Sequence, residues 1–151
     1  MKRKLFMVGA LCLLLMFTLV GCGKHGATEL TVSSDVMNDK VTLSVTDSHS
    51  NYTLSKSKDG FQIDGGEEVV NGTFLSVSDA ENKQANLYGT DSYSVISIGD
   101  SLGFACVSDG TYQHIFQPND SDFYICLSAS KSDANIYAAE EYVSFSVLKS
   151  K

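Results

Sequence analysis

Apolar and polar residues alternate in short runs along most of the chain, the period expected of strands with one buried and one wet face. Val41, Leu43 and Val45 alternate with Thr42, Ser44 and Thr46, and Tyr52 with Leu54 continues the pattern. Denser runs follow at Glu68 to Ser78, Tyr93 to Ile98, Leu102 to Val107, Thr111 to Gln117, Phe123 to Leu127 and Tyr142 to Leu148. Gly, Asp, Asn and Ser collect in the gaps, at Lys58-Asp59-Gly60, Ile63-Asp64-Gly65-Gly66, Gly99-Asp100-Ser101 and Ser108-Asp109-Gly110. These are residues that turns select. No stretch repeats apolar residues at i, i+3, i+4 and i+7 for three turns, so long helices are not expected. Asn135 to Ala139 reads equally as a strand or a helical turn. About nine short strands at this spacing predict an all-β fold, an antiparallel β-sandwich or jelly-roll-like relative.

Asp109-Gly110 predicts the tip of a tight hairpin, because a two-residue turn needs the positive φ that Asp and Gly tolerate. That turn sets Ser108 against Thr111, Val107 against Tyr112, Cys106 against Gln113 and Phe104 against Ile115. A further turn at Gln117 to Asp122 makes Phe123 to Leu127 a third strand. Both faces of these strands are apolar, so they belong in the centre of a sheet, covered on both sides. The register bears on Cys106 and Cys126. In a plain meander they stand two strands apart, roughly 9.6 Å, whereas a disulfide needs Cα atoms within about 7 Å. Two readings therefore stand: a disulfide, if the third strand crosses to another sheet, or two free thiols packed as small apolar side chains.

The first residues obey a different rule. Lys2, Arg3 and Lys4 precede an uncharged run, and Leu5 to Val20 is 16 almost wholly apolar residues. A membrane-spanning helix needs about 20. A basic stub with a shorter apolar core is the pattern of a secretory signal peptide. It ends in Leu19-Val20-Gly21-Cys22, which resembles the lipobox of bacterial lipoproteins. The resemblance covers only this export segment. It implies cleavage between Gly21 and Cys22, a diacylglyceryl group on the Cys22 thiol, and acylation of the new amine. Two or more chains anchor stably where one binds only marginally. The implied address is the outer face of a bacterial membrane, either the cell membrane or an outer membrane. The implied organisation is a signal peptide over residues 1–21, a lipidated cysteine and short tether over 22–27, and one sandwich domain over 28–151.

Charge narrows the partners. Three of the 11 basic residues lie in the signal segment, leaving eight lysines against 18 acidic residues and no arginine. Nucleic acid is therefore not an expected partner, because no Arg or Lys cluster is present to grip phosphate. Attachment to a membrane must come from acyl chains rather than a basic patch.

Little in the mature segment announces chemistry. His25 falls in the tether, His49 in a Ser/Asn-rich turn and His114 on the hairpin strand. No His/Cys spacing marks a zinc site and no Gly-x-Ser-x-Gly elbow marks a nucleophile, so neither catalytic nor metal residues are assigned and no cofactor is expected. Asn119, Asp120 and Asp122 gather hard oxygen ligands that would suit calcium, although the glycine and terminal glutamate of the twelve-residue calcium loop are missing. The ordinary alternative is an Asx-rich turn. The seven tyrosines fall mostly in apolar alternation, and tryptophan is absent. The expected role is a lipid-anchored binding module for an envelope protein, a glycan or an extracellular protein, with an exposed sheet edge as one docking surface. Two alternatives are an inhibitor or accessory subunit of a secreted enzyme, using the loops Gly60 to Gly72 or Gln117 to Asp122, and a hydrolase with its catalytic residues on loops.

Overall fold

Ten strands and two helices form a three-stranded sheet stacked on a seven-stranded one in a computed structural model that describes residues 26–151. The expected signal segment, the Gly21–Cys22 junction and His25 lie outside the described residues. The small sheet has the order β1 (Glu29–Val32), β2 (Lys40–Val45), β10 (Val143–Leu148). The large sheet contains β3 (Thr53–Lys56), β4 (Gly60–Asp64), β5 (Val70–Ser76), β6 (Tyr93–Ile98), β7 (Ser101–Ser108), β8 (Thr111–Phe116) and β9 (Phe123–Ala129). Its order is β3-β4-β5-β9-β8-β7-β6, and every pairing in both sheets is antiparallel. The all-β sandwich expected from alternation is the observed fold.

The Asp109-Gly110 hairpin forms in the register its turn dictates, with Ser108 opposite Thr111, Cys106 opposite Gln113 and Phe104 opposite Ile115. Both turn residues have positive φ, 53° at Asp109 and 73° at Gly110. Strand β9 pairs β8 on one side and β5 on the other, and both of its faces are covered. Phe123, Ile125, Leu127 and Ala129 enter the main core between the sheets. Cys126 enters a smaller core on the outer face, with Tyr124 packed at its margin.

Two local expectations are corrected, and one alternative left open is decided. Glu68 to Ser78 reads as one strand, but β5 ends at Ser76 and helix α1 (Val77–Leu87) begins there. The Ser76 hydroxyl accepts the Asp79 N–H at 3.2 Å and donates to its carboxylate at 2.6 Å, an N-cap that turns the chain out of the strand. α1 buries only Ala80 fully, so its apolar stripe is too thin to register as a helical period. Gly60 to Asp64, expected in a loop, is strand β4, and Glu29–Val32 is a strand as well. Asn135 to Ala139 resolves as part of helix α2 (Ala134–Tyr142), which closes the main core from the sheet's end with Ile136 and Ala139 buried. Ala27 forms an isolated antiparallel bridge with Leu54.

The main core is built around aromatic contacts across strands. Phe61 on β4 faces Gly72 on β5, and its ring occupies the space a side chain at 72 would need. A Cβ at that position would stand 2.1 Å from the Phe61 ring. Gly72→Ala is expected to destabilise the fold by about 1–3 kcal/mol through overpacking. Urea unfolding should show a lower midpoint, and Phe61→Leu in the same chain should recover part of it.

Candidate functional site

The sandwich is closed along one side and open along the other. On the closed side Ala27 bridges the two sheets, donating to the Leu54 carbonyl at 2.9 Å and accepting the Leu54 N–H at 2.7 Å. On the open side β10 is the free edge of the small sheet and β6 that of the large one. No residue of β6 or β7 is among the fully buried side chains of the main core, because the small sheet and α2 do not reach that far. The inner face there carries Ile96, Ile98, Gly103 and Ala105, all partly exposed.

A cleft of about 370 Å³ runs along β10. Ile98 and Phe116 of the large sheet and Phe145 and Val147 of β10 form its apolar walls. Asp100, Glu140 and Glu141 supply carboxylates, and no basic residue among the described ones lines it. Val143, Ser144 and Phe145 are consecutive and therefore on opposite faces of the strand, so the cleft follows the strand's edge. Another hollow, about 450 Å³, lies between Val32 to Val36 and Lys56 to Gly60, where Lys56 and Lys58 stand with Asp35 and Asp59. It has loop walls of mixed charge and no comparable apolar floor.

His114 and Glu140 form the buried polar centre beside the cleft. The imidazole Nδ1 lies 2.6 Å from Glu140 Oε1, and the Tyr137 ring meets the imidazole edge-to-face at 4.4 Å. Glu140 and Tyr137 are three positions apart on α2, hence on one side of the helix. His114 is wholly buried, and its Nε2 has no hydrogen-bond partner among the described residues. A carboxylate on Nδ1 orients an imidazole as in nucleophilic dyads, but such a site places a hydroxyl or thiol at the second nitrogen, and none of the described residues does so. The arrangement docks α2 onto β8.

Helix α2 is placed from its other end by Glu68. Its Oε1 accepts the Ser130 N–H at 2.6 Å and the Ser130 hydroxyl, and Oε2 accepts the Lys131 N–H at 2.9 Å and Asn135 Nδ2 at 3.2 Å. The α2 N-cap, Asp133, makes no side-chain capping bond, so Glu68 holds the turn that leads into the helix. The Ser130 hydroxyl above all, together with the two N–H donors, lowers the Glu68 carboxyl below its ordinary value. At the far end Tyr142 stacks on Tyr52 with ring centroids 5.0 Å apart.

The residues singled out from sequence are dispersed. Cys106 and Cys126 are free and buried on the outer face, on β7 and β9 with β8 between them, so the disulfide reading is not the one adopted. Cys106 Sγ lies 3.8 Å from Gln113 Oε1. Burial raises both thiols, Cys126 to about 11. Asn119, Asp120 and Asp122 share one turn. The Asp122 carboxylate accepts Asn38 Nδ2 at 3.3 Å, and the Asp120 carbonyl accepts the Lys149 ammonium, which also pairs with Asp39 at 3.2 Å. Among the described residues no three His, Cys, Asp or Glu side chains converge as metal ligands. His49 sits in a turn, where its N–H donates to Asp47 Oδ1 at 2.8 Å. Glu68, Tyr137, Glu140 and Phe145 carry the geometry of the site. No local motif marks them, since each works through a partner distant in sequence.

Comparison with protein-family models, curated proteins and solved structures found no match.

Glu68→Gln should weaken the fold at neutral pH. A carboxyl lowered on folding stabilises above its unfolded value, near 4.5, and that stability is lost as pH falls through the lower folded value. The gap between wild type and variant in urea midpoint should therefore close below about pH 4.5. Cys106 and Cys126 should resist iodoacetamide at pH 8 in the folded protein and react on unfolding, as peptide mapping would record, because the thiolate is the reactive form.

Proposed function

We propose that the chain is a lipid-anchored binding module on the outer face of a bacterial membrane, taking its ligand in the cleft beside β10. The address rests on Leu19-Val20-Gly21-Cys22, where the Cys22 thiol takes a diacylglyceryl group and cleavage then removes the preceding 21 residues. No helix of the described residues is long and apolar enough to cross a membrane, so attachment through acyl chains is the mode this reading requires. The observation that carries the binding role is the cleft itself, an apolar slot with a carboxylate rim left where the small sheet stops short of the large one. Apolar walls with a few oriented polar groups are what ligand sites share. The ligand is an envelope or extracellular polypeptide or a glycan, held without covalent chemistry.

One feature favours a second reading, an inhibitor or accessory subunit of a secreted enzyme. The turn Gln117 to Asp122 borders the cleft and is held by its own bonds, with Gln117 Nε2 donating to the Ser121 carbonyl at 2.8 Å and the Ser121 hydroxyl to the Pro118 carbonyl at 2.6 Å. A rigid loop costs little entropy to bind.

Intact-mass analysis of natively produced protein should find residues 1–21 removed and two or three acyl chains on Cys22. Cys22→Ala should leave the leader uncut and release no lipid-labelled form. A soluble product trimmed elsewhere would overturn the address. A photo-crosslinker at Ser144 should then capture a ligand that one at Lys58, beside the polar hollow, does not.

A further inference from the structure

We infer that the cleft binds an extended segment of another polypeptide, which adds to β10 as the fourth strand of the small sheet and carries basic residues at its flanks. This inference rests on the binding role proposed above and names the partner's chemistry. The backbone of β10 is ready to accept such a strand. Thr46 N–H donates to the Tyr142 carbonyl at 2.8 Å. Hydrogen-bonded and non-bonded pairs alternate along an antiparallel ladder, so Ser144 opposite Ser44 and Ser146 opposite Thr42 bond across to β2. The N–H and C=O groups of Phe145 and Val147 consequently point away from β2, along the edge where the cleft lies. Val143 to Leu148 contains no proline and no charge, the devices that usually blunt such an edge.

The space beyond β10 suits the same occupant. A strand added about 4.8 Å beyond β10 would lie about 10 Å above the large sheet. It would cover the inner face of β7 and β6, which the small sheet leaves partly exposed. Phe116 fills the space over Gly103, and the partly exposed Ile96 and Ile98 give apolar contacts to every second side chain of the newcomer. Phe145 and Val147 are only partly buried for want of that neighbour. Charge selects the flanks. Asp100 stands in the β6–β7 turn, Glu140 and Glu141 at the end of α2, and no basic residue among the described ones lines the cleft. Lysine or arginine flanking an apolar extended core is therefore the complementary partner.

The test uses the natively lipidated mature chain in a neutral detergent and a fluorescent decapeptide with two lysines at each end of an alternating valine–threonine core. Three comparisons accompany it: the counterpart with glutamate in place of lysine, the lysine-flanked peptide N-methylated at every core residue so that neither edge can donate, and the Val147→Pro protein. Proline there removes an N–H that β2 does not use, so the fold should survive. The expected result is saturable binding weakened at least tenfold by each change, with Phe145 and Val147 amides gaining exchange protection. Asp100→Asn with Glu141→Gln should weaken it at least threefold. Binding that ignores N-methylation and Val147→Pro would be general attraction to an acidic surface and would overturn the inference, as would no binding at all. The N-methylated peptide distinguishes strand addition from that attraction on wild-type protein, even if Val147→Pro fails to fold. Peptide binding by a chain found without lipid would support the inference while sinking the proposed address.

Discussion

Strand β9 is buried on both faces, and much of the structure follows from that constraint. Phe123, Ile125 and Leu127 point between the sheets, while Tyr124 and Cys126 point to the outer face. Fully burying a large apolar side chain stabilises by about 1.5–3 kcal/mol, so a strand apolar on both sides must find two covers. β5 pairs one edge of β9 and β8 the other, which joins the β3–β5 hairpins to the β6–β8 meander in one sheet. The covers are unequal. α1 lies over the small outer core, and the three-stranded sheet with α2 lies over the main one.

Unequal cover leaves the cleft. Seven strands below and three above cannot match at both sides, and the backbone bridge from Ala27 to Leu54 draws the small sheet toward the β3 side. The shortfall therefore appears under β10. His114 and Glu140 keep α2 seated at the margin of this gap, and Glu68 secures the helix from its beginning. The two carboxylates do different work. Glu68 gathers N–H and O–H donors from the turn that leads into α2, with the Lys131 charge close by. Glu140 commits one oxygen to a buried imidazole while its residue lines the cleft.

Parts of this are legible in the chain. Asp109-Gly110 prescribes its own turn, and that turn sets every pair up to Phe104 and Ile115, because strand register propagates without choice from a two-residue loop. The separation of Cys106 from Cys126 follows from the same meander. α1 is illegible for a physical reason: it covers a small patch, so Ala80 suffices and its remaining positions are free to be polar. β4 is hidden because Gly60 and Asp64 at its ends read as turn residues while Phe61 and Ile63 between them are buried.

Alternation by itself determined that this protein is made of antiparallel strands, and turn chemistry determined how neighbouring strands in the meander pair. Those are local matters, decided by side-chain direction and permitted φ over a few residues. The pairing of β10 with β2, the bond between His114 and Glu140, and the open side of the sandwich join positions 26 to about 100 residues apart. Only the tertiary structure decided them, because which edge is left unpaired depends on how much surface all the other elements manage to cover.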